Sequence, residues 1–342
     1  MNKQLLKETI KQLFTDGKGL LAMDESTGTC NKRFAEAGIP QTVEMRRSYR
    51  ELIVTTPNLH ESIGGAILYD ETIRQQTKAG IPIIDVLIKA GIILGIKVDM
   101  GAKPMAGFPN EKVTEGLDGL RDRLVEYKKM GVRFAKWRAV IAIGNDIPTT
   151  ACIKANMHAL SRYAALCQEV DIVPIVEPEV LMDGNHTLQQ CYDITEKVLK
   201  ILFYQLYQFR IDLEGIILKP NMVIAGTENT KQNSIDKVAE ATVNCLLASV
   251  PAAVPAIAFL SGGQSPAVAA THLNAINKNF KDKLPWIVSF SFARAIQQPV
   301  LEIWKGQEAN VEEAQKILYR RAKYAVAAKC GKYNAVMEQS VV

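Results

Sequence analysis

This sequence predicts an α/β protein closed as a (β/α)8 TIM barrel, with additional helices at both ends of the chain. Three observations carry the prediction. Eight short apolar, β-rich runs recur along the 342 residues, helical patterns lie between most of them, and no low-complexity or Pro/Gly-rich hinge divides the chain. The length alone would allow two domains, but α/β barrels with added helices run this long as one. Residues 1–342 therefore read as a single domain with a mobile tail at about 331–342.

In chain order, MNKQLLKETIKQLF lacks a long apolar segment and reads as an amphipathic helix, not a secretory signal. The eight runs follow as GLLAMD, GGAILYD, GIILGIKVD, RFAKWRAV, DIVPIVEPE, GIILKPN, PAIAFLSGG and WIVSFSFAR. Their polar ends fall near Asp24, Asp70, Lys97, Lys136, Glu177, Lys219, Ser261 and Ser291, about as far apart as a strand plus a crossover helix requires. The runs are apolar almost throughout, so both faces are buried, as in parallel strands under a helical coat. A doubly wound open sheet is the rival arrangement. Between the runs, Met45, Tyr49, Leu52 and Ile53 follow helical spacing, as do Cys191, Ile194, Val198 and Leu202. A last helix outside the barrel is read from Val311 through Ile317, Leu318 and Ala322.

Composition narrows the function. Hydrophobic residues make up 48% and charged residues 23%, an ordinary globular mix, and the net charge is only +5. No long Lys/Arg run marks a nucleic-acid or membrane patch. The most apolar stretch, 81–98, is broken by Asp85, Lys89 and Lys97, which argues against a membrane span. Six cysteines without a CxxC pair fit reduced thiols in a cytoplasm. His60, His158, His186 and His272 form no HxxxH or carboxylate-paired pattern, so no metal site is expected.

In a barrel the reactive groups sit where the strands end. Here Asp24, Lys97, Lys136, Arg138, Glu177, Glu179, Lys219 and Arg294 would converge on one rim. Each alone is an ordinary solvated cap or half of a salt bridge. Three lysines from three strand ends, with two acids from a fourth, repel one another too strongly to be a device for stability, and point to an anionic substrate. A lysine nucleophile must lose its proton, so its pKa of about 10.4 has to fall toward 7 or 8. Burial and cationic neighbours push that way, and Lys219, closing GIIL before Pro220, is a candidate beside Lys136 and Lys97. The sequence does not choose among the three. An amine condensed with a ketone becomes an electron sink for carbon–carbon cleavage. Glu177 and Glu179 are placed to shuttle the protons this requires, and Asp24 to act near the broken bond. FLSGGQSP offers glycines for close approach to an anion, then Ser265 as N-cap and Pro266 at the first helical position, a pattern that resembles a phosphate cradle.

LAMDESTGT, GIKVDMG, FAKWRAV, PIVEPEV, LKPNMV, FLSGGQS and SFARAIQ, in this order, resemble the successive signatures of class I, Schiff-base-forming fructose-bisphosphate aldolases. The resemblance spans nearly the whole chain. It implies reversible cleavage of fructose 1,6-bisphosphate to dihydroxyacetone phosphate and glyceraldehyde 3-phosphate in glycolysis and gluconeogenesis, no metal or organic cofactor, a phosphorylated sugar as partner, and a homotetramer. By position, Lys219 is similar to the Schiff-base lysine and Glu177 to the acid/base of imine formation. Asp24 resembles the carboxylate for the hydroxyl beside the scissile bond, and Lys136 and Glu179 complete the charged network. Ser261, Gly262, Gly263 and Arg294 match positions that hold one phosphate, and Lys97, Arg138, Ser26, Thr29, Lys32 and Arg33 match positions around the second.

Two departures accompany the resemblance. Animal members end in a tyrosine that reaches the active site, whereas the last residues here are QSVV and the nearest tyrosine is Tyr333, which puts tail-assisted proton transfer in question. Ala293 stands where many relatives have glycine, for which a small geometric adjustment is expected. Cleavage of sedoheptulose 1,7-bisphosphate by the same residues is the near alternative. A non-catalytic barrel that binds ligand would carry a broken lysine or carboxylate set, and a sugar-phosphate isomerase would not need a nucleophilic Lys219.

Overall fold

Along the chain, the computed structural model describes residues 1–339, which begin with α1 (Lys3–Phe14), β1 (Gly19–Ala22), α2 (Thr27–Glu36), α3 (Val43–Val54), β2 (Ile63–Leu68), α4 (Asp70–Ile73), α5 (Ile83–Lys89) and β3 (Ile93–Lys97). A hairpin, β4 (Ala102–Pro104) and β5 (Lys112–Thr114), precedes α6 (Leu120–Lys129), β6 (Phe134–Ile141), α7 (Thr150–Glu169) and β7 (Val173–Val180). Then come α8 (Leu188–Gln208), β8 (Ile217–Leu218), α9 (Ile235–Ser249), β9 (Ala256–Phe259), α10 (Pro266–Phe280) and β10 (Ile287–Phe292). The last elements are α11 (Arg294–Trp304), α12 (Val311–Lys329) and α13 (Val336–Gln339).

Eight strands close into one parallel barrel in the order β1-β10-β9-β8-β7-β6-β3-β2, so the open-sheet alternative does not apply. They are the eight apolar runs. The β4–β5 hairpin is a separate antiparallel pair that the sequence reading did not anticipate. Its strands have three residues each, one ending in Pro104, too short and polar for an alternation to register. β8 has only two residues because Pro220 supplies no N–H, although the Lys219 N–H still donates to the Val176 carbonyl at 2.9 Å.

Strand side chains alternate between the barrel interior and the helical coat. Leu20, Ala22, Phe134, Val173, Ile175, Ile217, Ala256 and Ala258 build the inner core, while Leu21, Met23, Trp137, Val176, Leu218, Ile257 and Phe259 pack under the helices. The inner core admits bulk only where glycine makes room: a Cβ at Gly95 would lie 2.2 Å from the Phe134 ring. α1 seals the amino end of the barrel, with Leu6, Ile10, Leu13 and Phe14 packed into the same inner core. Each such fully buried side chain contributes roughly 1.5–3 kcal/mol. Close seating requires Gly64, whose Cβ would fall 2.1 Å from the Leu13 carbonyl oxygen.

At the other end of the chain, residues 331–339 of the stretch read as a tail lie against α10 and α12. Tyr333 is buried, its N–H donates to Asn274 Oδ1 at 2.9 Å, and its hydroxyl donates to Glu338 Oε1 at 2.6 Å. Arg321 donates to both Glu338 oxygens, at 2.6 and 2.7 Å. Residues 340–342, on which the expectation about a terminal tyrosine falls, lie outside the described residues. Among the described residues no helix is long and apolar enough to cross a membrane.

Candidate active site

The alternation that builds the inner core also lifts charge onto its top. Counting upward by twos, Phe134 leads to Lys136 and Arg138, Val173 and Ile175 to Glu177 and Glu179, Ile217 to Lys219, and Leu20 and Ala22 to Asp24. These side chains, with Lys97, Ser26, Thr29, Lys32, Arg33, Ser261, Gly262, Gly263 and Arg294, line one cavity of about 850 Å³ at the carboxyl ends of the strands. Every site residue expected from sequence is thus in one place. Eight cationic and six carboxylate side chains line that cavity, a surplus suited to an anion.

At its floor, Lys136 Nζ lies 2.8 Å from Asp24 Oδ2, 3.2 Å from Glu177 Oε2 and 4.0 Å from Asp99 Oδ2. Lys219 Nζ lies 3.1 Å from Glu177 Oε1, so Glu177 bridges the two amines. Burial alone would raise the Asp24 carboxyl, but Lys136 first, then Lys219 and Lys97, hold it well below the usual range. Glu177 is lowered in the same way, burial being outweighed by Lys136, Lys219 and Arg138. For Lys136, burial favours proton loss, and Asp24, Glu177 and Asp99 overcome it, so its pKa is raised above the ordinary lysine value.

Asp99 was missed by the sequence reading, although GIKVD carries it two residues beyond Lys97. It is buried, pairs with Lys97 Nζ at 3.3 Å, and accepts from the Gly101 and Arg138 N–H groups, each at 3.2 Å. The Lys97 ammonium also sits over the Tyr69 ring, 5.6 Å from its centroid. Glu25, another residue not anticipated, pairs with Arg33 and lies 2.8 Å from Arg50 Nη1 of α3. Arg138 pairs with Glu179.

Around the rim, Ser26 caps α2 by accepting from the Thr29 N–H at 3.3 Å, and its hydroxyl shares a hydrogen bond with Thr29 Oγ1 at 3.1 Å. Across the cavity Ser265 caps α10, with Pro266 at its first turn, as the sequence predicts. Gly262 in the preceding turn has φ +58°, and Arg294 donates to its carbonyl. The Gly263 N–H points at Met182 Sδ. A Cβ at either glycine would meet that sulfur, at 3.1 Å from Gly262 and 2.9 Å from Gly263, so these glycines serve the turn and its seat on Met182 as well as any ligand. Among the described residues Arg294 makes no ion pair. Burial, then the neighbouring Arg33, lowers its pKa, which leaves an under-compensated cation beside the turn. Ala293 adopts φ −107°, outside the positive-φ region that favours glycine.

The sequence pattern of the family described as fructose-bisphosphate aldolase class-I matches residues 5–342. The chain belongs to the class I fructose-bisphosphate aldolase family. Among its relatives, a probable fructose-bisphosphate aldolase class 1 of Xylella fastidiosa is 56% identical over 335 residues, covering 98% of this chain and 100% of the relative. A cytosolic fructose-bisphosphate aldolase of Arabidopsis thaliana is 48% identical over 320 residues, 94% of this chain and 81% of the relative. A solved structure of the fructose-bisphosphate aldolase from Plasmodium falciparum superposes with a TM-score of 0.95 at 44% identity, covering 97% of this chain and 96% of that one. The likeness to fructose-bisphosphate aldolases thus extends over nearly the whole chain.

Proposed function

We propose that the chain reversibly cleaves fructose 1,6-bisphosphate to dihydroxyacetone phosphate and glyceraldehyde 3-phosphate, in glycolysis and gluconeogenesis, through a Schiff base at Lys219. The observation that carries this reading is the unequal company of the amines. Lys136 has three carboxylates within 4.0 Å and keeps its proton, whereas Lys219 meets Glu177 alone. Lys97 pairs with Asp99 and a tyrosine ring, not with Glu177.

Glu177, ionised, takes one proton from the Lys219 ammonium, and the freed amine adds to the ketone carbon. A second proton passes from that nitrogen to the alkoxide oxygen, and Glu177 returns the first to the resulting hydroxyl, which leaves as water and gives the protonated imine. Asp24, also ionised, removes the proton of the hydroxyl beside the scissile bond. That bond breaks, its electrons enter the protonated imine, and an enamine remains while the aldehyde departs. Protonation of the enamine and hydrolysis of the imine restore the amine. Lys136 holds both carboxylates in place, and Glu179 holds Arg138. The Ser261–Gly263 turn, the α10 amino end and Arg294 take one phosphate. Lys97, Arg138, Ser26, Thr29, Lys32 and Arg33 take the other. We take residues 1–342 as one domain, assembled as a homotetramer in the cytoplasm, on family likeness.

Incubation with dihydroxyacetone phosphate and borohydride should leave a reduced adduct on Lys219, located by peptide mass spectrometry. An adduct on Lys136 or Lys97, or none, would overturn the assignment. Glu177→Gln keeps the shape and loses the proton shuttle, so kcat should fall by about 10²-fold or more. A fully active variant would remove that role.

A further inference from the structure

Beside the turn that precedes α10 lies a partly buried polar relay outside the reacting groups. The Ser261 carbonyl, at the start of the turn, accepts from Gln264 twice, from its backbone N–H and from its side-chain Nε2, both at 3.2 Å. The same Nε2 lies 3.8 Å from Met222 Sδ, so the amide's nitrogen faces the turn and Met222 while Oε1 faces away. There Oε1 meets His272 Nδ1 at 2.6 Å. His272 is on α10, about two turns beyond the Ser265 cap, and is buried.

An amide oxygen only accepts, so the imidazole must present Nδ1–H to it. Burial pushes the His272 pKa down to about 4, so the ring is neutral and has just this one N–H. Its Nε2 is buried and has no hydrogen-bond partner among the described residues, so Nδ1 carries the ring's one polar contact. We propose that His272 is a positioning residue for phosphate binding: through Gln264 it ties the Ser261 carbonyl to the body of α10, holding that oxygen off an incoming anion. This rests on the reading of the Ser261–Gly263 turn and Arg294 as a phosphate site.

The relay predicts a particular pattern of constants. In His272→Leu, KM for the bisphosphate and the inhibition constant of inorganic phosphate should each rise by about tenfold, with kcat within about twofold of the parent. His272→Asn, whose amide N–H stands near the position of Nδ1–H, should restore both constants. Gln264→Met, which keeps length and burial, should raise the phosphate inhibition constant alike, and the double variant should be no worse than either single one. Unchanged constants in a folded His272→Leu, an Asn variant no better than Leu, or effects that multiply in the double variant would each overturn the relay. If His272→Leu does not fold, a Gln264→Met protein with parental phosphate inhibition overturns it equally. Arg294→Ala separates the two levels. If it leaves phosphate inhibition unchanged, the phosphate site and the relay both fall, whereas a raised constant there beside an unaffected His272→Leu removes the relay alone.

Discussion

Replacing Lys219 by Met should lower turnover by about 10⁴-fold or more while the bisphosphate still binds within about tenfold of the parent affinity. Neither of the other two strand-end amines is placed to substitute. Lys136 sits among Asp24, Glu177 and Asp99, which hold its proton, and Lys97 is engaged by Asp99 and Tyr69. The cations proposed to hold the phosphates, Arg294 and Lys32 among them, line the same cavity and are untouched by the change. Lys219→Arg should be as inactive, because a guanidinium keeps the charge but does not form the imine. Steady-state kinetics and calorimetric titration would check this. Residual turnover within 100-fold of the parent would mean that a different group captures the ketone.

Lys136→Met should be the most destabilising single change at the site, by about 3–5 kcal/mol at neutral pH, because removing one member of a buried ionic network leaves the others uncompensated. Asp24, Asp99 and Glu177 would remain buried around a thioether. The pH dependence then changes sign. In the parent, Asp24 and Glu177 have depressed folded pKa values. Their stabilisation is fully present above the unfolded carboxylate range of about 3.9–4.3, and is lost as pH falls through the folded values. Without Lys136, burial dominates and pushes at least one carboxyl above its unfolded value. That variant should therefore gain stability as pH falls from 7 to 5, an interval in which these groups leave the parent flat. Urea unfolding at both pH values would show it. A loss under 1 kcal/mol with an unchanged pH profile would mean that Lys136 is not the counter-charge inferred here.

Strands were legible because burial on both faces leaves continuous apolar runs, and because a charge directly after such a run has nowhere to go but the rim. Choosing among the lysines from spacing and burial was not, and only the family resemblance pointed to Lys219. That choice rests on how many carboxylates surround each amine, and Asp24, Asp99 and Glu177 reach Lys136 from three different strand ends. Asp99 went unnoticed because its work is to pair and to accept backbone N–H groups, which no local pattern announces. The Glu25–Arg50 pair joins a strand end to a helix 25 residues on, and the His272–Gln264 contact depends on the fold of the turn. The alternation itself was within reach: stepping by twos from Phe134 or Ile175 arrives at Lys136 and Glu177 without any structure.

The helix that stoppers the barrel's amino end turns the site into a blind well, and a blind well imposes a queue. Whatever enters must leave by the mouth it came in through. On the proposed Schiff base at Lys219 the tethered three-carbon fragment would lie at the floor, so the released aldehyde would have to clear the opening before fresh water or a second aldehyde takes its place. Order of departure is then a property of architecture, and crowding the entrance would slow release without touching the chemistry below.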